Sequence, residues 1–346
     1  MRFHRPAAPA ERATVSVVIP CYRYGNYLPT AVASVLEQED VDVDVLVIDD
    51  ASDDDSAQVA RDLADRDARV RVVVHTANAG HIATYNEGLN QVKGDYVVLL
   101  SADDALVPGS LARAVALMQR HPKVGLVYGH CAYFTDEPPR ADRAARSWTT
   151  WPGRQWLAWM CSRSTNPVYT PGVVMRRTAW DDVGRYDARV PHAGDMLLWY
   201  QTAARWDVGR VNNEAQALYR VHGTNMHLTQ YAGMLRDMQE QRTLLGILFE
   251  ETPPAHLPPA RVRDSALRSI VRRANRLAIA ESHDPSGDGS AEAFRRFSAE
   301  TAALLGGRGV SPALVAWDAW LESRWGGLPR RATRHLWWRL WRRYGV

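Results

Sequence analysis

The chain has 346 residues, 46% of them apolar and 23% charged, an ordinary globular balance that excludes wholesale disorder. Its 42 basic and 39 acidic side chains leave a net charge of +3, too balanced for nucleic acid to be the main partner.

Short apolar runs alternate with amphipathic stretches through the first 135 residues. Val15–Pro20, Val43–Asp49, Val70–His75, Asp95–Leu100 and Val124–Phe134 are apolar or β-branched enough to be strands. Between them, Tyr27–Gln38, Ser56–Arg66, His81–Val92 and Pro108–Arg120 carry helical spacing, and Pro108 suits a first helical turn. This alternation predicts a mostly parallel sheet flanked by helices, with ligands beyond the carboxyl ends of its strands. Asp136–Trp151, rich in Pro, Arg and Thr, is expected to be a mobile loop, and 152–222 to mix short helices and strands. Further on, Met234–Glu250 and Arg261–Glu281 are predicted helices separated by the proline-broken Thr252–Pro259. There is no internal repeat.

Three segments carry chemistry at strand ends. Val15-Ser-Val-Val-Ile-Pro-Cys-Tyr-Arg-Tyr-Gly-Asn-Tyr-Leu28 is a buried strand that breaks at Pro20 into an aromatic turn, where an exposed tyrosine can stack on a base. Val47-Ile-Asp-Asp-Ala-Ser-Asp-Asp-Asp55 ends a strand in paired carboxylates; Asp49 or Asp50 can accept from a base or ribose, while Asp53–Asp55 cap the following helix. Gly94-Asp-Tyr-Val-Val-Leu-Leu-Ser-Ala-Asp-Asp-Ala-Leu-Val-Pro108 runs an apolar strand into two adjacent carboxylates, the oxygen ligands that a hard divalent cation shares with substrate phosphates.

In this order and spacing the three segments resemble the nucleotide-binding half of the family-2 glycosyltransferases, which have the GT-A (Rossmann-like) α/β fold. The resemblance covers 15–135 and resumes at His192-Ala-Gly-Asp-Met-Leu-Leu-Trp-Tyr-Gln201 and at Ala217-Leu-Tyr-Arg-Val-His-Gly-Thr-Asn-Met226. It implies a flexible N-terminus over 1–13, a nucleotide-sugar-binding half over 14–135, an acceptor-binding and catalytic half over 136–230, and a helical C-terminal region over 231–346. A nucleotide site of Pro20, Tyr22, Asp49, Asp50, Asn78, Gly80, Ser101 and Ala102 follows from it, with Tyr22 against the base and Asp50 hydrogen-bonded to it. Asp103 is implied as the direct ligand of Mn²⁺ or Mg²⁺ with Asp104 beside it, His222 as reaching the metal or the diphosphate, and Asp195 as the catalytic base. Asp195 as a helix cap and His222 as a structural histidine are the plain alternatives.

Two departures stand out. Ser101 occupies the first position of the family's Asp-x-Asp, and Thr84-Tyr85 replaces an arginine farther along the helix that follows Asn78-Ala-Gly80. Gln201-Thr-Ala-Ala-Arg-Trp206 has one residue too many for the Gln-x-x-Arg-Trp element of processive relatives, so single-sugar transfer is expected.

The resemblance therefore implies an inverting, metal-dependent transfer from a nucleotide diphosphate sugar, by default a UDP-sugar, to an acceptor hydroxyl on a saccharide, a lipid-linked saccharide or a small molecule. Cell-surface polysaccharide or glycoconjugate assembly is the expected setting, natural-product glycosylation or a catalytically inactive sugar-nucleotide-binding protein the alternatives. A dinucleotide oxidoreductase is excluded, since no G-x-G-x-x-G follows the first strand. Cys21, Cys131 and Cys161 lack metal-ligand spacing and are expected as reduced thiols. Met1–Ala13 lacks a signal peptide's apolar core and no run reaches the roughly 20 residues of a membrane span. A cytoplasmic protein, peripheral at the inner face of the membrane, is the expectation. In 330–346, Leu336, Trp337, Leu340, Trp341 and Tyr344 share a helical face flanked by arginines, which suits a membrane surface, the catalytic domain or a second subunit.

Overall fold

A computed structural model of the chain describes residues 1–136, 147–163, 166–223, 233–252, 254, 259–281 and 290–306. The expectation for 330–346 lies outside the described residues. Contacts divide the chain into two compact units, the first within Met1–Gly153 and Pro167–Asn225, the second within Arg154–Asn166 and Met226–Trp341.

The first unit holds a sheet with strands β1 (Arg2–His4), β2 (Thr14–Cys21), β3 (Asp42–Asp49), β4 (Val70–Val74), β5 (Tyr96–Leu99), β6 (Ala105–Leu106), β7 (Val124–Phe134), β8 (Ser147–Trp151), β9 (Val173–Arg176) and β10 (Asp207–Arg220). Their order is β1-β8-β10-β7-β9-β5-β2-β3-β4, with β6 pairing β10. The run β5-β2-β3-β4 is parallel throughout, as expected from the alternating sequence. β2 lies inside this run, and Val15, Val17, Val18 and Ile19 are fully buried, which is why the strand reads as an unbroken apolar run.

Beyond β5 the sheet becomes mixed. β9 inserts antiparallel between β5 and β7, β10 lies parallel to β7, and β8 pairs antiparallel with β10 and with β1. Two expectations need correction. Within 1–13, expected to be flexible, Arg2–His4 is a sheet strand. Within Asp136–Trp151, expected to be a loop, Ser147–Trp151 is a strand; its Trp and Thr residues are buried and it is paired on both sides.

The helices of this unit are α1 (Leu28–Leu36), α2 (Ser56–Arg66), α3 (His81–Gln91), α4 (Ser110–Arg120), α6 (Arg177–Val183) and α7 (Gly194–Arg205). α5 (Gly153–Arg163), placed by sequence in the acceptor half, belongs to the second unit beyond its first residue. α3 approaches β2 and β3 closely because Gly88 has no side chain: a Cβ there would overlap Val18 and stand 2.9 Å from Ile48. α1 and α4 are tied together through buried Gln38, whose Nε2 donates to the Val107 carbonyl and whose Oε1 accepts from the Leu111 N–H. Ser34 adds a bond from the Leu106 N–H to its hydroxyl. The chain leaving β5 is thus pinned on its far side, from Leu106 to Leu111.

The second unit contains α5, α8 (Met234–Gly246), a π-helical turn Ile247–Glu251, α9 (Pro259–Glu281) and α10 (Ser290–Ala303). Leu267, Ile270, Val271, Ala274, Phe294 and Phe297 are buried in it, and Arg242 lies 4.7 Å over the Phe297 ring. Among the described residues no helix is long and apolar enough to cross a membrane.

Ala51, just past β3, has φ of 56°, in the left-handed region where a Cβ is disfavoured by roughly 1–2 kcal/mol. Ala51→Gly is expected to raise the unfolding free energy by about 0.5–1 kcal/mol after the extra chain entropy of glycine is subtracted. Urea denaturation of the two proteins checks this, and an unchanged or lowered midpoint would count against strain at that turn.

Candidate active site

The carboxyl ends of β2, β3 and β5 converge through backbone bonds between their loops. The Asp50 N–H donates to the Cys21 carbonyl at 2.9 Å, and the Arg23 N–H donates to the Ser52 hydroxyl at 2.9 Å. The polar turn after β2 is thereby fastened to the carboxylate pair that ends β3.

Asp49 and Asp50 have different tasks there. Asp49 is fully buried and its Oδ2 accepts from the Ser52 N–H at 3.0 Å, which closes the turn. Asp50, 4% exposed, receives the N–H groups of Ala79 at 2.8 Å and Gly80 at 2.9 Å, and Nδ1 of His75 stands 2.7 Å from its Oδ1. Nε2 of the same His75 lies 3.0 Å from Glu87 Oε2, so one imidazole spans two carboxylates. Burial opposes the charge of Asp50, but the donors Ala79, His75 and Gly80 outweigh it and hold its carboxyl below the usual range. Burial likewise opposes the charge of His75, yet Asp50 and Glu87 raise its pKa above the ordinary value. Asn78 donates to the Asp50 carbonyl at 3.0 Å, and Gly80, at φ of 83°, takes the backbone where a side chain is disfavoured. Asp50, Asn78 and Gly80 therefore form one constellation, at the N-terminus of α3.

Of the acidic run expected to cap α2, Asp54 accepts from the Ser56 N–H at 3.0 Å, whereas Asp55 at the N-cap makes no side-chain capping bond and Asp53 pairs with Arg23 on the surface. Pro20 is half-buried at the end of β2, and Tyr22 is 41% exposed with the Arg23 guanidinium 5.4 Å from its ring.

A second constellation forms past β5. Asp103 and Asp104 are 7% and 2% exposed, beside fully covered Ala102 and partly exposed Ser101. His222 Nε2 stands 3.0 Å from Asp103 Oδ2; its ring stacks on Tyr27 at 5.1 Å and meets Tyr24 edge-on at 5.5 Å. The turn after β2 thus also orients the histidine that follows β10. Burial raises the pKa of Asp103 against the pull of His222, and burial with the charge of Asp103 raises that of Asp104 further.

Arg220, a residue that the reading of single motifs did not pick out, holds this pair. Its N–H donates to Asp104 Oδ1 at 2.9 Å and its Nε to the Asp103 carbonyl at 2.9 Å. Nη1 donates to the carbonyls of Thr135 and Asp136, and the guanidinium lies between the rings of Phe134 at 4.3 Å and Tyr27 at 4.8 Å. The position next but one before His222 in the Tyr-Arg-x-His element was the signal available for it.

Asp103 and His222 fit a divalent cation. Cis ligands of an octahedral ion at about 2.1 Å stand about 3.0 Å apart, which matches the observed Oδ2 to Nε2 separation of 3.0 Å. Cationic charge there also relieves the repulsion between the adjacent carboxylates. Among the described residues no group of three His, Cys, Asp or Glu side chains could hold a metal alone, so the remaining ligands would come from substrate and water.

Asp195 lies in the first turn of α7, with its Oδ1 accepting from the Met196 N–H at 2.5 Å and its Oδ2 3.3 Å from the Thr170 hydroxyl. His81 Nε2 is 3.2 Å from the Pro191 carbonyl. Tyr85, one of the two residues standing where the family often has arginine, packs edge-on between His81 and Tyr186.

Residues 16–183 match the family described as glycosyl transferase family 2. An uncharacterized glycosyltransferase of Nostoc sp. is 29% identical over 240 residues, which are 67% of this chain and 72% of that protein. Relatives from Haemophilus influenzae, Bacillus subtilis and Streptococcus pneumoniae are matched over 47%, 26% and 30% of their own length. Among solved structures, S. aureus TarS 1–349 in complex with UDP-GlcNAc is similar with a TM-score of 0.61 at 15% identity, over 83% of this chain and 81% of that one. The mannosyltransferase PcManGT from Pyrobaculum calidifontis, in complex with GDP-Man and Mn²⁺, is similar with a TM-score of 0.54 at 17% identity, over 95% and 85% of the two chains. With these motifs set at the strand ends of a sheet of this architecture, the chain has the GT-A fold, and its residues 16–183 are similar to glycosyl transferase family 2.

Proposed function

We propose that the chain transfers a single glycosyl group from a nucleoside diphosphate sugar, by default a UDP-sugar, to an acceptor hydroxyl with inversion at the anomeric carbon. Assembly of a cell-surface polysaccharide or glycoconjugate is the setting this reading favours. The observation that carries it is the buried Asp103–His222 pair, locked by Arg220 and by the aromatic turn of the same loop network that fastens Asp50. The bound UDP-GlcNAc of TarS and the GDP-Man and Mn²⁺ of PcManGT support a nucleotide-sugar donor and a divalent ion for this chain as well.

In this reading the base lies over Tyr22 and bonds near Asp50, whose carboxylate is held in place by the Ala79 and Gly80 N–H groups of the Asn78–Gly80 turn. Mn²⁺ or Mg²⁺ held by Asp103 and His222, with Asp104 behind them, would supply positive charge against the departing diphosphate. Asp195 takes the proton of the acceptor hydroxyl while that oxygen forms its bond to the anomeric carbon. The bond from that carbon to the diphosphate breaks on the opposite face, and its electron pair leaves with the nucleoside diphosphate. Thr170 holds one oxygen of Asp195 and helps keep the carboxylate in a single orientation.

Nucleoside diphosphate release, measured over a panel of donors with and without metal, tests the reading as a whole; no release from any donor would overturn it. Asp195→Asn keeps the size of the side chain and an oxygen that can accept from the Met196 N–H, in a helix whose N-cap is Ala193, but removes the basic carboxylate oxygen. Transfer is expected to fall at least about 10²-fold, the low end for loss of a general base, with melting temperature and nucleotide binding retained. Near-normal transfer in the folded variant would remove Asp195 from the mechanism.

Asp103→Ala is expected to abolish the stimulation of nucleotide binding by Mn²⁺, because Ser101 offers no second carboxylate. Calorimetric titration of UDP with and without Mn²⁺ reads this directly, and a retained metal effect would count against Asp103 as ligand.

The Asp50–His75 pair makes stability depend on pH. His75 is raised above 6.5, so its contribution is complete below that value and lost as pH rises through the folded pKa. Asp50 is lowered below 3.8, so its contribution is present above that value and lost as pH falls through the folded pKa. The stability difference between wild type and His75→Gln is therefore expected to be largest between these limits and to shrink in alkali. Urea titrations across the range check this; a difference that grows with alkali would contradict the charged bridge.

A further inference from the structure

Three tyrosines, of which only Tyr219 belongs to a motif above, meet at the ends of the paired strands β7 and β10. Tyr133 and Tyr219 are register partners, and Tyr169 immediately precedes the 3-10 turn Thr170–Gly172. Their rings pack edge to face: Tyr133 on Tyr219 at 5.8 Å and 81°, Tyr133 on Tyr169 at 6.0 Å and 87°, Tyr169 on Tyr219 at 5.9 Å and 62°. The Tyr133 and Tyr169 hydroxyls are 2.5 Å apart.

This cluster lies between the two halves of the chemistry. On one side, the charges of Asp104 and Asp103 reach Tyr219 and help raise its pKa after burial. On the other, Tyr169 is joined in sequence to Thr170, whose hydroxyl faces Asp195. The cluster is thus a wall tied to both sides, through Thr170 to Asp195 and through Tyr219 to the segment that carries Arg220 and His222, which makes it a candidate support for an acceptor group that gives its proton to Asp195.

The chemistry of the wall narrows that group. Tyr133 is 58% exposed, a large ring kept in water at a strand end and braced by its two neighbours. Burial and the Tyr169 hydroxyl raise its pKa, so it is neutral at working pH. With the two hydroxyls engaged with each other, what Tyr133 offers is chiefly its ring face. Nothing in the three rings offers a positive charge to an anionic partner. A neutral ligand with an apolar face and hydroxyls at its rim is a pyranose, whose axial C–H bonds settle on an aromatic face while its edge keeps hydrogen bonds.

We propose that Tyr133, braced by Tyr169 and Tyr219, is the acceptor subsite of this enzyme and that the acceptor is a pyranoside stacked on the Tyr133 ring. The proposal rests on the glycosyltransferase reading above and adds the substrate class of its second site.

The test uses the full chain, the donor found in the release panel, and two sets of acceptors: methyl pyranosides of glucose, galactose and N-acetylglucosamine, and the open-chain glycerol and glycerol phosphate. Transfer to at least one pyranoside and to neither open-chain alcohol is expected. Tyr133→Ala is expected to raise the KM for that pyranoside about tenfold, the size of one well-placed aromatic contact. Tyr133→Phe, which keeps the ring face, stays near wild type, and UDP binding by calorimetry is retained in both variants. Saturation-transfer NMR should show the ring C–H protons of the methyl pyranoside closest to the wild-type protein and lose this signal in Tyr133→Ala. An unchanged acceptor KM in Tyr133→Ala, or a preference for the open-chain acceptors, overturns the subsite while leaving the glycosyltransferase reading in place. A wild-type chain that releases nucleoside diphosphate from no donor overturns that reading and the subsite with it.

Discussion

Two neighbouring carboxylates buried at a strand end are the constraint around which this molecule is arranged. Asp103 and Asp104 repel one another and have lost most of their water, so their charge has to be met by protein or by a ligand. Arg220 meets part of it through its own N–H, its guanidinium and its position between two aromatic rings. The geometry of β10 follows from this: the strand has to end where residue 220 reaches residues 103 and 104, and His222 then falls beside Asp103. Oxygens already fixed in place need no reorganisation when a charged substrate arrives, which is the general source of electrostatic catalysis.

The other ligand-facing carboxylate, Asp50, is stabilised by the opposite means. It is equally covered, yet two backbone N–H groups and an imidazole hold it ionised. One domain thus keeps a carboxylate whose pKa its donors hold down and a pair whose pKa values burial raises.

Ser101 gains a physical meaning in this setting. A third carboxylate two residues before Asp103 would add like charge to a strand end already carrying two. The smaller, neutral side chain lowers that repulsion and leaves Asp103 and His222 as the protein side of any ion site. Tyr85 is a parallel case: where the family often has a cation, an aromatic packs between His81 and Tyr186. Both exchanges remove charge from the site.

The amino-acid sequence by itself determined the parallel core. Apolar periodicity is local, and once β2, β3, β4 and β5 alternate with helices, the carboxylates written at their ends must gather on one edge of the sheet. That Asp50, Asn78, Gly80 and Asp103 stand near strand ends was legible for that reason, while the roles proposed for them and for His222 come from the family resemblance. Tertiary structure alone decided the antiparallel entry of β9, the strand at Ser147–Trp151, the pairing of Arg2–His4, the Arg220 clamp and the tyrosine wall. Each of these joins residues far apart in the chain, 116 positions for Arg220 and Asp104, and 36 for the hydroxyls of Tyr133 and Tyr169. A local pattern holds no record of which distant partner a strand edge or a side chain will meet; that is settled only when the whole sheet closes its hydrogen bonds and buries its faces.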